Sequence, residues 1–303
     1  MKARNSEETL VHRLGWIAPI AVLVALVALE IIILTSIKGA LDQVGKDPYR
    51  SPFSLGAVSA EAAAVALARW GTSVFILAVA SIPPIVLAVR TIRRVPKRGH
   101  RRRFWIIAAI LMLGFVSLAH EDAISPKGAS TLFDGFLSQH LSGNECSISV
   151  LSYAPLLVEY GAMVIVTIAL SACLTLSSVT PQDRLAIADD LLQRSALMLV
   201  MGVIHTAAYY QVVLVAFAAY DPSEMEEFGR LYPLLAGAFF STALLGIYGV
   251  TRAAILPRQT ATAVSGGPEM PEPDKQVFSW RDGTVQRLIA LAPLLTGLLQ
   301  LLM

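Results

Sequence analysis

The chain has 303 residues, of which 55% are hydrophobic and only 15% charged, with a net charge of +2 and two cysteines. That balance excludes an ordinary soluble domain and a disordered chain, and it points to an integral membrane protein. Cys146 in a loop and Cys173 in an apolar run exclude a disulfide framework and a cysteine metal site within one chain.

A hydrocarbon core about 30 Å thick takes roughly 20 apolar residues of helix at 1.5 Å each. The first such run, 14–37, follows the basic N-terminus MKARNSEETLVHRLGW. It is long and carries no small-x-small cleavage pattern, which predicts an uncleaved anchor. Glu30 lies inside it. The second run, 71–89, is preceded by the Ala-rich AEAAAVALARW, a strong helix former that extends the helix beyond the membrane and carries Arg69 near its boundary. Pro83 and Pro84 predict a kink in its other half.

Residues 90–103 then carry eight Lys or Arg and no acid. Subtracting eight from the net charge of +2 leaves −6, so the basicity of the chain is this one connection. Arg93, Arg94, Lys97, Arg98, Arg101, Arg102 and Arg103 therefore read as an orientation signal with some lipid contact, on the cytoplasmic side, rather than as a nucleic-acid site. This puts the N-terminus in the cytoplasm, with a plasma or bacterial inner membrane as the setting.

The third run, 104–119, is short and ends on His120, Glu121 and Asp122. The fourth, 154–179, carries Glu159 just after Pro155. Thr180 as N-cap and Pro181 at the first helical position start a further helix below the membrane. This helix leads into the fifth run, 195–220, with His205, Tyr209, Tyr210 and Gln211. The sixth, 231–251, sets Gly237 and Ser241 in small-xxx-small spacing, with Gly246 and Gly249 beyond, a pattern that lets helices approach closely. Residues 257–276 are rich in Pro, Gly and small polar residues and read as a tether. The last run, 288–303, reads as a short span or an interfacial segment, with the span preferred.

The expected fold is thus all-α, a polytopic integral membrane helical bundle of six transmembrane helices plus a short C-terminal apolar helix. Residues 1–256 form the bundle, 257–284 the linker and 285–303 the last segment. The sequence shows no internal repeat by inspection.

Counting 1.5 Å per residue gives each polar side chain a depth. Glu30 falls about 10 Å below the outer edge, where a carboxylate costs a few kcal/mol unless paired, protonated or wetted. Arg69, His120, Glu121, Asp122, Glu159, Tyr209, Tyr210 and Gln211 share the outer half, with His205 near the middle. The inner half is nearly all apolar, which predicts an outward polar vestibule. Each residue also has a structural reading: Glu30 with Arg69 as an ion pair locking two helices, Glu159 at a helix N-terminus, the tyrosines as interfacial or core aromatics, and His205 bonded to a neighbouring helix.

No phosphate-cradling loop, dinucleotide fingerprint, zinc-protease helix, CxxC or nucleophile elbow occurs. No metal is implied, and the sequence names no cofactor, which stays unknown. Two functional classes follow. In the favoured one the chain is an ion or small-solute channel or transporter, with Glu30 as the deepest charge on the path. In the other it is a non-catalytic membrane subunit that assembles with itself or with membrane partners. A lipid-modifying enzyme using His120, Glu121 and Asp122 ranks third.

Overall fold

The computed structural model describes residues 15–44, 59–120, 137, 145–176, 178–217, 222–256 and 280–302. Among the described residues all regular structure is helical, without strands. Seven helices follow one another: α1 Ala18–Val44, α2 Ala60–Arg93, α3 Arg98–His120, α4 Glu145–Cys173, α5 Pro181–Phe217, α6 Pro222–Ile255 and α7 Trp280–Leu302. Among the described residues, three stretches are long and apolar enough to cross a membrane: Glu61–Arg93, Pro181–Val215 and Leu231–Ile255. Ala18–Leu29, Leu157–Cys173 and Gln286–Leu299 are shorter apolar helical stretches.

Local signals account for several helix ends. Ser59 caps α2, its side chain accepting from the Ala62 N–H at 3.2 Å, with Glu61 in the first turn where the helix dipole favours an acid. Thr180 caps α5: its Oγ1 accepts from the Asp183 N–H at 3.1 Å, and its hydroxyl donates to the Asp183 carboxylate at 2.7 Å. Pro181 follows as the first helical residue, where a missing N–H costs nothing. Pro83 and Pro84 lie within α2, which runs on past them to Arg93.

One helix end departs from the sequence reading. The fourth apolar run, 154–179, predicts helix to its end, yet α4 stops at Cys173. The cause is tertiary. The chain tightens through Thr175 N–H to Ala172 O (2.9 Å) and Leu176 N–H to Cys173 O (3.3 Å). Arg184 of α5 folds back onto this turn, its Nε donating to Val179 O at 3.0 Å, while the Cys173 thiol donates to Arg184 O at 3.4 Å. Leu174 and Leu176 stay buried although they are no longer helical.

Helix α4 is the hub, packing against α1, α2, α3, α5 and α6. Two of its buried polar residues are satisfied within the helix itself, Thr167 and Ser171 donating to Met163 O and Thr167 O at 2.8 and 3.0 Å. Around it runs one large apolar cluster, with a second, smaller cluster formed by Ala63, Ala66, Trp70, Leu137, Tyr210, Val212 and Val213. Phe75, Ile82, Ile110 and Leu113 lie exposed on the outer faces of α2 and α3.

The last helix is integrated into the bundle. Helix α7 packs along α6 and α5, and its contact with α6 is built from a short motif that occurs twice. Pro-Leu-Leu-Ala-Gly at 233–237 returns as Pro-Leu-Leu-Thr-Gly at 293–297, a repeat the sequence reading did not find. Each motif's glycine lies against the other's proline. A Cβ at Gly237 would overlap the Pro293 carbonyl oxygen, and one at Gly297 would stand 2.7 Å from the Pro233 oxygen. Pairing 237 with 293 and 233 with 297 makes the two helices antiparallel. Ser241 completes the crossing: its Oγ accepts from the Leu294 N–H at 3.0 Å.

Candidate functional site

The chemistry converges on the seam of α2, α4 and α5. Glu159, on α4, is 1% exposed. Its carboxylate lies against Gly202 of α5, where a Cβ would overlap Oε1. One turn further along α5, His205 is 4% exposed. Residues three apart share a helix face, so Glu159 and His205 both border the face of α5 turned inward. The Thr206 hydroxyl donates to Gly202 O at 3.0 Å and so stays off that face.

The hydrogen bonds also assign the histidine tautomer. His205 Nδ1 lies 3.0 Å from Ser73 Oγ on α2. The Ser73 hydroxyl gives its one proton to Trp70 O at 2.6 Å. Its oxygen therefore accepts from Nδ1–H, which leaves Nε2 of the neutral ring as a proton acceptor. Ser73→Ala strands a buried N–H and is expected to lower unfolding stability by about 1–3 kcal/mol. Thermal unfolding of the detergent-solubilised protein measures this, and an unchanged midpoint would mean that His205 is held otherwise.

Beside this seam a groove of about 470 Å³ opens between α2 and α5. Arg69, Thr72, Ser73 and Ile76 line one wall and Ile204, Ala207, Ala208 and Gln211 the other. Arg69 and Gln211 are exposed at one end, Nη1 donating to Gln211 Oε1 at 3.3 Å.

Next to Gln211, Tyr210 turns inward. It is 2% exposed, packs within the smaller apolar cluster, and sets its ring 4.5 Å from Tyr232 and 5.3 Å from Tyr209. This end of the bundle is thus partly filled by aromatic side chains. Along α5, Glu159 thus meets Gly202 and Arg69 meets Gln211 nine residues further on, with His205 between them. The side chains of Glu30 and His120 lie outside the described residues, as do Glu121 and Asp122 altogether. Glu30's helix, α1, packs chiefly on α6 and α4.

The packing positions divide. Gly237 and Ser241 meet α7, and Gly246 meets α1, with a Cβ there 2.9 Å from Val22. Among the described residues, a Cβ at Gly249 would meet nothing within 4 Å, so Gly249 takes no part in close packing there. In the basic connection Arg93, Arg94, Lys97, Arg98, Arg102 and Arg103 are exposed, while Arg101 is half-buried and donates to Arg93 O at 3.4 Å.

Sequence reasoning overlooked three groups. Ser73 and Gly202 carry no signal alone, although Gly202 lies one turn from His205 and a glycine inside a helix marks close approach. The third is a clasp near the basic end: the Tyr248 hydroxyl donates to Asp189 of α5 and accepts from Arg252 Nη1 at 3.1 Å. Tyr248→Phe removes both bonds and is expected to cost about 1–3 kcal/mol, since the hydroxyl joins two charged groups. A midpoint equal to wild type in thermal unfolding would show the clasp to be energetically idle.

Taken together, these features define an all-helical protein with apolar helices compatible with membrane insertion and buried ionisable groups in its core. No family model, curated protein or solved structure matches the chain.

Proposed function

We propose that this chain is a polytopic membrane protein that passes protons or a small cation through the seam of α2, α4 and α5. Its helices α1 to α6 cross the bilayer, with the N-terminus and the basic α2–α3 connection in the cytoplasm of a cell bounded by a plasma or bacterial inner membrane. The antiparallel packing of α7 on α6 supports a seventh crossing that carries the C-terminus to the outer side.

One observation carries the functional reading: Glu159 and His205, two groups able to exchange protons, are buried on either side of one turn of α5. Ionisable residues within spans are costly and are kept where they serve a path or relay. Glu159 takes the place of Glu30 as the central residue of the path, because it is buried and Gly202 leaves room for its carboxylate. His205 Nε2 can accept a proton while Ser73 holds the opposite edge of the ring. The same observation favours transport over a purely structural subunit, for which Gly202 needs no carboxylate beside it.

The test is purified protein in sealed liposomes under an imposed proton or cation gradient. Flux above that of protein-free liposomes is expected, and flux equal to theirs for protons and monovalent cations alike would overturn the proposal. The topology is tested with single cysteines at positions 59 and 97, in a chain with Cys146 and Cys173 replaced by alanine. An impermeant thiol reagent should reach 59 in intact cells and 97 only after permeabilisation; the reverse pattern would invert the orientation.

A further inference from the structure

We infer that the groove between α2 and α5 seats an anionic phospholipid, its phosphate on Arg69 and one acyl chain running down past Ile76 and Ile204. The inference rests on the reading that α2 and α5 lie in a bilayer. The groove's two ends differ in chemistry. At the open end, Arg69 is the single charged residue among the described residues lining the groove. A guanidinium has five N–H donors, and the 3.3 Å bond to Gln211 uses one of them while holding the group over the mouth. The remaining fork suits bidentate contact with a phosphate. Glu61 stands two turns above, on the far side of Arg69 from the groove.

Below Arg69 the polarity is spent internally. Thr72 donates to Ala68 O at 2.7 Å and Ser73 to Trp70 O at 2.6 Å, so the walls face the space with methyl and methylene groups. The space exists because Ala68, Ala207 and Ala208 are small where the two helices face each other. From Ala68 to Ile76 it extends about 12 Å along the helix axis. A cation over an apolar slot complements an anionic headgroup with an attached chain. A free phosphate would use only the cation, and a zwitterionic lipid would bring a second positive charge to it.

The experiment uses the full chain, purified in neutral detergent, delipidated, and melted with phosphatidylglycerol, with phosphatidylcholine of the same chains, or with inorganic phosphate. Phosphatidylglycerol is expected to raise the midpoint more than the other two. That preference should vanish in Arg69→Gln, persist in Arg69→Lys, and vanish again in Ala208→Phe, which fills the slot and leaves the cation. Equal shifts from both lipids, a shift from phosphate alone, or a preference surviving in Arg69→Gln would overturn the lipid seat. If Arg69→Gln fails to fold, Ala208→Phe decides in the same way, and a preference surviving there likewise overturns it. Recovery of the protein from cells in the aqueous fraction without detergent would instead overturn the membrane reading, separately from any lipid preference.

Discussion

Gly237→Ala should lower unfolding stability by about 1–3 kcal/mol, although alanine is the better helix former by about 1 kcal/mol. The new methyl group would overlap the Pro293 carbonyl oxygen, which belongs to backbone and cannot rotate away. Helix α7 must therefore shift along its whole contact with α6, which also loosens the bond from Leu294 N–H to Ser241. Gly249→Ala, on the same helix, has open space around it and should gain up to about 1 kcal/mol. Thermal unfolding of the two variants side by side thus predicts opposite signs. A shared sign would mean that the crossing of the two Pro-Leu-Leu-x-Gly motifs is not tight.

Gly202→Ala behaves differently because the obstacle is the far end of a side chain. The added methyl group would stand where the Glu159 carboxylate lies, and the carboxylate can swing aside. The gain in helix propensity offsets part of the strain, so net stability should change by less than about 2 kcal/mol. Flux should suffer more. Moving the carboxylate from its place beside α5 is expected to slow transport roughly tenfold or more, which needs only about 1.4 kcal/mol on the limiting step. Flux in liposomes together with a melting curve checks this. Wild-type flux from a stable Gly202→Ala protein would remove Glu159 from the path.

Much of the helical layout was legible in the sequence because apolar length and capping chemistry are local. Over its described residues each apolar run corresponds to a helix, the fourth only as far as Cys173, and the start of α5 follows from Thr180 and Pro181. The end of α4 was not legible, because the residue that turns the chain, Arg184, lies on the next helix and reaches back. The site divides along the same line. Depth follows from counting residues, so His205 and Glu159 could be singled out. Lateral neighbours do not follow from counting. Counting sets Arg69 at the level of Glu30, whose side chain lies outside the described residues, but does not show that Arg69 donates to Gln211 on α5. Ser73 became visible as the partner of His205 only once α2 and α5 were seen side by side. Gly249 matched the small-residue spacing but faces outward, since spacing alone does not say which stripe of a helix meets a neighbour.

The most direct test of the account compares wild type with Glu159→Gln, which keeps the shape of the side chain and removes its proton exchange. Flux under an imposed proton or cation gradient is measured for both in liposomes at equal protein content, after melting curves show that both are folded. Flux is expected in the wild type and its loss in Glu159→Gln. Equal flux from the two proteins would contradict it and leave Glu159 as a structural residue of the α4–α5 contact.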